Sequence, residues 1–437
     1  MYVPTPEQLS ARVSAAVDTR RLIELVQQVC RIPSVLGEEG ELAGFLQSVM
    51  AESGFEAATL QPVLPGRPNA LGELSFGTGP RVVLTGHLDT KPVSHGWTAT
   101  TPFSGELLGG SVYGHGIMDM KAALACEIVA MEALRDSGVE LAGTVAMAAV
   151  ADHMGDQLGS IAYFDGYPAD LAVLGELSDN EIFLGHRGRY YFDVTLLGKS
   201  AHTCHKPLAV NANALAAHAI LELEASRFLP ELEDWVRDLF GPETFVVPGR
   251  VYGGLPPGGP SMIPDECVIR VDCRPQPGVS VADVRAEVDR CLDRARQRDP
   301  RLLAEVVLAD VKDGYLAGPD DEVVRHMRDA VRAVRAQPPG PSPATAPPAT
   351  APVATTGPAA SAPTSAAPSR RAAEPVLQVA GWLGDTASFG AKVPTVIFGP
   401  GGEPVYCPDE HLSVADIIEA TQVYASFAAL ALARSGD

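Results

Sequence analysis

His87 and Asp89, with one residue between them, follow an apolar run, Val82-Val83-Leu84, that reads as a buried strand. Further on, Tyr113-Gly114-His115-Gly116-Ile117-Met118-Asp119-Met120-Lys121 opens an apolar helical pattern. An imidazole at a strand end and a carboxylate at a helix start are nitrogen and oxygen donors of the kind zinc takes. Asp89, two residues past His87, is placed to hydrogen-bond the other ring nitrogen and fix its tautomer. The competing reading is a strand-end His and Asp that merely face solvent; the arrival of Asp119-Met120-Lys121 at this distance favours the metal.

Donors so far apart in sequence need a framework. Strand and helix patterns alternate over 81–84, a helix from 121, 145–150, 158–164 and 171–174, which indicates an α/β sheet flanked by helices. In such sheets ligands gather at the carboxyl ends of strands, where His87, the segment after Val150 and Glu176 all fall. Before them, 6–51 reads as two amphipathic helices broken at Arg31-Ile32-Pro33-Ser34, the second starting at Glu38-Glu39-Gly40-Glu41. From about 187 the texture changes: a strand at 190–196, Gly198-Lys199-Ser200-Ala201-His202, an Ala-rich helix from 211, and a strand at 268–271. A helix at 320–336 precedes 338–369, which is almost all Ala, Pro, Ser, Thr and Gly and is expected to be a disordered or extended insertion. A strand at 394–398 and a helix at 414–434 end the chain.

Totals narrow the function classes. A chain of 437 residues, 46% hydrophobic and 20% charged, is globular and long enough for two domains. A net charge of −21 excludes nucleic acid and anionic membrane surfaces as expected partners. Seven cysteines without a pairing pattern read as reduced thiols of a cytoplasmic protein. Neither a signal peptide nor a membrane-spanning apolar run is expected.

The quoted motifs resemble the zinc-dependent deacylase and exopeptidase family of acetylornithine deacetylase, succinyl-diaminopimelate desuccinylase, glutamate carboxypeptidase and carnosinase. The family pattern is G-H-x-D-x-x-P, then W and P-F, then Y-G-R-G-x-x-D-M-K. Here it runs Gly86-His87-Leu88-Asp89-Thr90-Lys91-Pro92, Trp97, Pro102-Phe103 and Tyr113 to Lys121, with His115 where Arg is usual. The resemblance implies a catalytic α/β domain with a mixed sheet (1–186 and 311–437) and an inserted α+β dimerisation, or lid, domain (187–310). It implies a homodimer in which His202, in a G-x-x-A-H motif, stabilises the oxyanion at the partner's site. Asn211 and Arg274 match substrate-contacting positions, but Ser261-Met262-Ile263-Pro264 lacks the family's Asn before V-I-P.

The family uses two zinc ions that share an Asp and activate a water. By resemblance His87, Asp119 and Glu176 hold one of them. The other half departs from the pattern. The family's D-E-E-x-G, general base then ligand, is Ala151-Asp152-His153-Met154-Gly155 here. Anchored on Gly155, Asp152 is the base and His153 the ligand. Anchored on Gly159-Ser160, Asp152 matches the family's Asp, His153 the base and Met154 the ligand. The last family ligand, the His of H-x-P-D-E, is Tyr406, a poor ligand as a neutral phenol with a pKa near ~10; His411 and Cys407 are the nearest substitutes. Charge counting gives one tight zinc, or cobalt in its place, and a second position weak or absent. The expected activity is a metal-dependent amidohydrolase for an N-acyl amino acid or small dipeptide. The alternatives are acyl transfer or amide formation in specialised metabolism, and a non-catalytic binding protein.

Overall fold

The computed structural model describes residues 5–254, 261–338 and 371–434. The Ala/Pro-rich stretch expected at 338–369 lies, but for its first residue, outside them. The chain forms two compact units, one of Met1–Leu184, Ala317–Leu377 and Lys392–Asp437, the other of Gly185–Leu316 and Gln378–Ala391. No helix among the described residues is long and apolar enough to cross a membrane.

The first unit is built on a mixed sheet. Its strands lie in the order Glu56–Leu64, Arg67–Ser75, Thr144–Val150, Arg81–His87, Leu171–Leu174, Thr395–Ile397 and Ile182–His186. The four from Thr144–Val150 to Thr395–Ile397 are parallel, and antiparallel pairs flank them. Parallel strands covered on both faces read as unbroken apolar runs, and almost every residue of these four is buried. Helices Ala122–Asp136, Glu322–Ala336 and Val414–Ala431 pack on the sheet and on one another. Thr19–Arg31 is capped by the Asp18 side chain and stops at Ile32, since a residue before proline is pushed out of the helical region. The turn at Met120 and the start of the helix Ala122–Asp136 press close to the sheet because Gly86 has no side chain: a Cβ there would stand 1.9 Å from Met120 Cε and 3.1 Å from Leu124 Cδ2.

Register sets the site. His87 pairs with Val150, and the Gly175 amide donates to the Thr85 carbonyl at 2.8 Å. The carboxyl ends of three neighbouring strands are therefore level. The antiparallel pair Glu56–Leu64 and Arg67–Ser75 was not anticipated from sequence. Its outer member alternates too weakly between buried and exposed residues to give a period-two signal.

The second unit carries an antiparallel sheet in the order Phe245–Gly253, Glu266–Arg274, Arg189–Leu197 and Leu303–Lys312. Arg189–Leu197 buries every second residue, and Phe192, Ile269, Leu215 and Leu292 belong to the core it shares with Ala212–Glu224 and Val281–Arg298. This unit also takes up Gln378–Ala391, which the sequence reading left with the final segment.

The two ends of the stretch left undescribed meet in the first unit. Arg335 donates to the Ala372 carbonyl at 3.0 Å and to Glu419 at 2.8 Å, and Arg371 is held by Asp416 at 2.6 Å.

One buried acid stands out on Ala122–Asp136. Glu127 is fully buried, and neither carboxyl oxygen has a hydrogen-bond partner among the described residues. It fills the notch left by Gly175, where a Cβ would come within 2.5 Å of its Oε1. Burial pushes its pKa well above the usual 4.5. The folded state thus holds this proton more tightly than the unfolded chain. Its contribution to stability is complete below about pH 4.5 and is lost as pH rises towards the folded pKa. Glu127→Gln removes that loss. The stability difference should move in the variant's favour by up to about 1.4 kcal/mol per pH unit across that window. Urea unfolding of both proteins from pH 5 to 8 checks this; a difference that stays flat with pH refutes it.

Candidate metal centre

His87, the last residue of its strand, is fully buried. Its Nδ1 is 2.8 Å from the carbonyl oxygen of Asp89, and its Nε2 is 2.8 Å from Asp119 Oδ1 and 3.4 Å from Glu176 Oε1. A neutral ring that gives its Nδ1 proton to a carbonyl presents the Nε2 lone pair to the two carboxylates. The sequence reading gave that orienting bond to the Asp89 side chain; the backbone makes it instead. The Asp89 carboxylate accepts the amides of His153 at 3.0 Å and Met154 at 2.8 Å.

His153 comes in from the loop after Thr144–Val150. Its ring stacks on His87, with centroids 4.2 Å apart and 8° between planes. Its Nε2 is 3.7 Å from Glu176 Oε1. One donor atom from each of His87, His153 and Glu176 lies within 4.8 Å of the others. Glu176 follows the buried strand Leu171–Leu174, and its Oε1, itself buried, makes no hydrogen bond among the described residues. Two imidazole nitrogens converging on such an oxygen, with Asp119 alongside, are a donor set that fits a divalent ion.

Protonation reflects the crowding. Burial works against a charged His87, but Glu176 and Asp119 outweigh it and raise the ring's pKa well above 6.5. Burial and the Asp119 charge raise the pKa of Glu176. Burial also opposes ionisation of Asp119, yet its hydrogen bond with His87 and the nearby imidazoles bring its pKa below the usual value.

Asp119 sits in the irregular turn before Ala122–Asp136, with non-helical backbone angles and a cis bond to Met120. Gly116 enters this turn at φ +71, and a Cβ there would meet Thr90 Cγ2 at 2.4 Å. Glu410 closes the turn from the other side, accepting the amides of Gly116 and Met118 at 3.1 Å each and of Tyr406 at 3.2 Å. Burial pushes its pKa up to about 7. Lys121, buried, donates to the Ile32 carbonyl at 2.6 Å, and burial lowers its pKa to about 8.

The remaining predicted residues lie differently. Tyr406 is beside the group, but its hydroxyl donates to the backbone carbonyl of Asp119 at 3.1 Å. Burial and the Asp119 charge raise its pKa, so it stays a neutral phenol. Neither proposed substitute is turned to the centre by its contacts. His411 stacks on Tyr113 at 4.6 Å, and Cys407 Sγ faces the Pro404 carbonyl at 3.7 Å. The Asp152 carboxylate, expected as a base, is taken by Arg67 at 2.8 Å and by the amides of Asp156 at 3.1 Å and Leu158 at 3.5 Å. His202, Asn211 and Arg274 belong to the second unit. There His202 caps a short helical turn through Cys204, Asn211 caps Ala212–Glu224, and Arg274 pairs with Asp272 at 2.8 Å.

Sequence reasoning passed over Arg67 and Asn69, which hold the loop carrying His153. Their signal was faint: two polar residues spaced by two on a strand, both on one face. Glu39, which grips Arg67, was read only as a helix-start acid.

The sequence profile of Peptidase family M20/M25/M40 matches residues 83–430. Acetylornithine deacetylase of Photorhabdus laumondii is 28% identical over 321 residues, 69% of this chain and 80% of its own length. Succinyl-diaminopimelate desuccinylase of Methylorubrum extorquens is 27% identical over 428 residues, 92% of this chain and 96% of its own. In fold, the chain is similar to the aminopeptidase PepT of Bacillus cereus, with a TM-score of 0.70 at 18% identity over 95% of this chain and 99% of that one. The chain belongs to Peptidase family M20/M25/M40, whose deacylase and peptidase relatives are hydrolases acting on C–N bonds.

Proposed function

We propose that this chain is a metal-dependent amidohydrolase that deacylates an N-acyl amino acid or cleaves a small dipeptide, and that it works with one divalent ion. The carrying observation is the buried Glu176 Oε1, without a hydrogen bond among the described residues, facing the Nε2 atoms of two stacked imidazoles. His87, His153, Asp119 and Glu176 would hold the ion, zinc first and cobalt as the alternative. When bound, it supplies a Lewis acid for the amide carbonyl and activates a water. Two carboxylates and two neutral imidazoles balance one such ion.

A second ion has little to bind. Tyr406 is a phenol committed to a backbone carbonyl, and Met154 offers only a soft thioether. His153, expected at the second position, stands with His87. Asp152 is engaged by Arg67 and takes a loop-holding role on this reading. His202, Asn211 and Arg274 keep the oxyanion and substrate roles that the resemblance gives them. The names of the deacetylase and desuccinylase relatives support an N-acylated amino acid as substrate. Nothing favours acyl transfer or a binding-only role.

Homodimerisation is supported by exposed apolar residues on both edge strands of the second unit, Val247, Val251 and Tyr252 on one and Leu303 and Val307 on the other. The seven cysteines are all free, which supports a reducing, cytoplasmic location.

Metal content of the purified chain, read by elemental analysis beside turnover of a panel of N-acyl amino acids, tests the proposal. One ion per chain with turnover is expected; two ions in the parent would sink the single-metal reading, and no turnover across the panel would sink the hydrolase. His87→Ala should lose the ion and lower kcat/KM by at least about a hundredfold. Tyr406→Phe should keep one ion per chain and cost about 1 kcal/mol of stability for the lost hydrogen bond. Tyr406→His combined with Met154→Glu should raise the content towards two.

A further inference from the structure

The loop from Ala151 to Gly159 brings His153 to the centre, and its shape is set by groups that never reach that centre. Asn69 closes the loop's two ends: its Oδ1 accepts the Ala151 amide at 2.9 Å and its Nδ2 donates to the Gly159 carbonyl at 2.9 Å. Those ends touch, since a Cβ on Gly159 would stand 2.3 Å from the Ala151 carbonyl oxygen. Asp152, in the left-handed region at φ +72, gathers the loop's inner amides on its carboxylate. Arg67, two residues before Asn69 on the same face of the strand, donates to Asp152 Oδ1 at 2.8 Å. Its fork is fixed in turn by the fully buried Glu39, with Nε 2.7 Å from Oε2 and Nη2 2.6 Å from Oε1. Glu39 Oε2 also accepts the Gly37 amide at 3.0 Å.

We infer that Arg67 is a positioning residue for the metal centre: clamped by Glu39, it holds Asp152 so that the loop presents His153 to the ion. The inference rests on the single-metal reading, with His153 as a ligand. The chemistry asks for arginine. A planar fork satisfies two carboxylates at once and holds both at fixed angles, whereas an ammonium is a point charge with no preferred plane. Without it, two buried carboxylates face each other uncompensated, and Asp152 must turn towards another donor. That turn releases the amides of Asp156 and Leu158 and lets the backbone at 152 leave its left-handed conformation. The neighbouring residue is His153, whose amide and that of Met154 are held from the other side by Asp89. Arg67 and Asp89 thus grip the loop on either side of the ligand.

The test uses the full chain, stripped of metal, with zinc affinity read by chelator competition and amide exchange of the loop read before zinc is added. Arg67→Met should weaken zinc binding by about 10- to 100-fold, the range expected for loss of a group that orients a ligand. The amides of His153 and Met154 should exchange faster. Arg67→Lys should recover part of the affinity. In a His153→Ala background, the same Arg67→Met change should alter zinc affinity by less than about twofold, because the ligand it positions is gone. Equal losses in both backgrounds, or an unchanged affinity in Arg67→Met, would overturn the inference; a role in global stability alone gives one of those two results. If Arg67→Met does not fold, Glu39→Gln carries the same comparison with a smaller expected loss. A parent chain that takes up no zinc overturns the metal reading and this inference with it. A parent that binds zinc while the variants leave its affinity untouched overturns this inference alone.

Discussion

Two carboxylates and two imidazoles are packed together, with His87 and Glu176 out of reach of bulk water and Asp119 and His153 only slightly exposed to it. Burial of a charge is costly unless an opposite charge or an ion offsets it. In the metal-free chain a proton on His87 does part of that work, which is why its pKa rises despite burial. On the proposed reading a cation takes the place of that proton. Everything around it limits how the four groups can relax. Level strand ends set the positions of His87 and Glu176, a glycine-led turn sets Asp119, and a clamped loop sets His153.

Departures from the family pattern make sense together as one change in charge. In either register His153 stands where the family has an acid, and by resemblance Tyr406 stands where it has an imidazole ligand. Each substitution removes charge or donor capacity relative to the family pattern. None touches the half formed by His87, Asp119 and Glu176. The phenol at 406 is then used differently, tying its own loop to the carbonyl of Asp119. A position that binds metal in the family pattern supports the backbone of Asp119 here.

The fold was readable because its parallel strands are short, unbroken apolar runs, and because His87, Asp119 and Glu176 each follow or precede such a run. The motif around His87 and Asp119 was readable because its residues are contiguous. The orientation of side chains was not. Asp89 and Asp152 are both acids in metal-site motifs, and nothing in sequence says which carboxylate turns outward to collect backbone amides. The choice between the Gly155 and Gly159 registers was open for the same reason, since spacing does not reveal which way a loop side chain points. Arg67 and Asn69 were invisible because their partners lie about eighty and ninety residues away, and long-range hydrogen bonds leave no local periodicity.

The pairing of Arg335 with the Ala372 carbonyl and of Arg371 with Asp416 joins two points far apart in sequence at one place on the first unit. The fold is thereby insulated from the length of chain strung between those points. For a loop whose ends are already fixed, the entropy of closure grows only as the logarithm of its length. The same geometry makes this junction a natural attachment port, where a reporter or a second domain can be spliced into the chain with both its ends anchored.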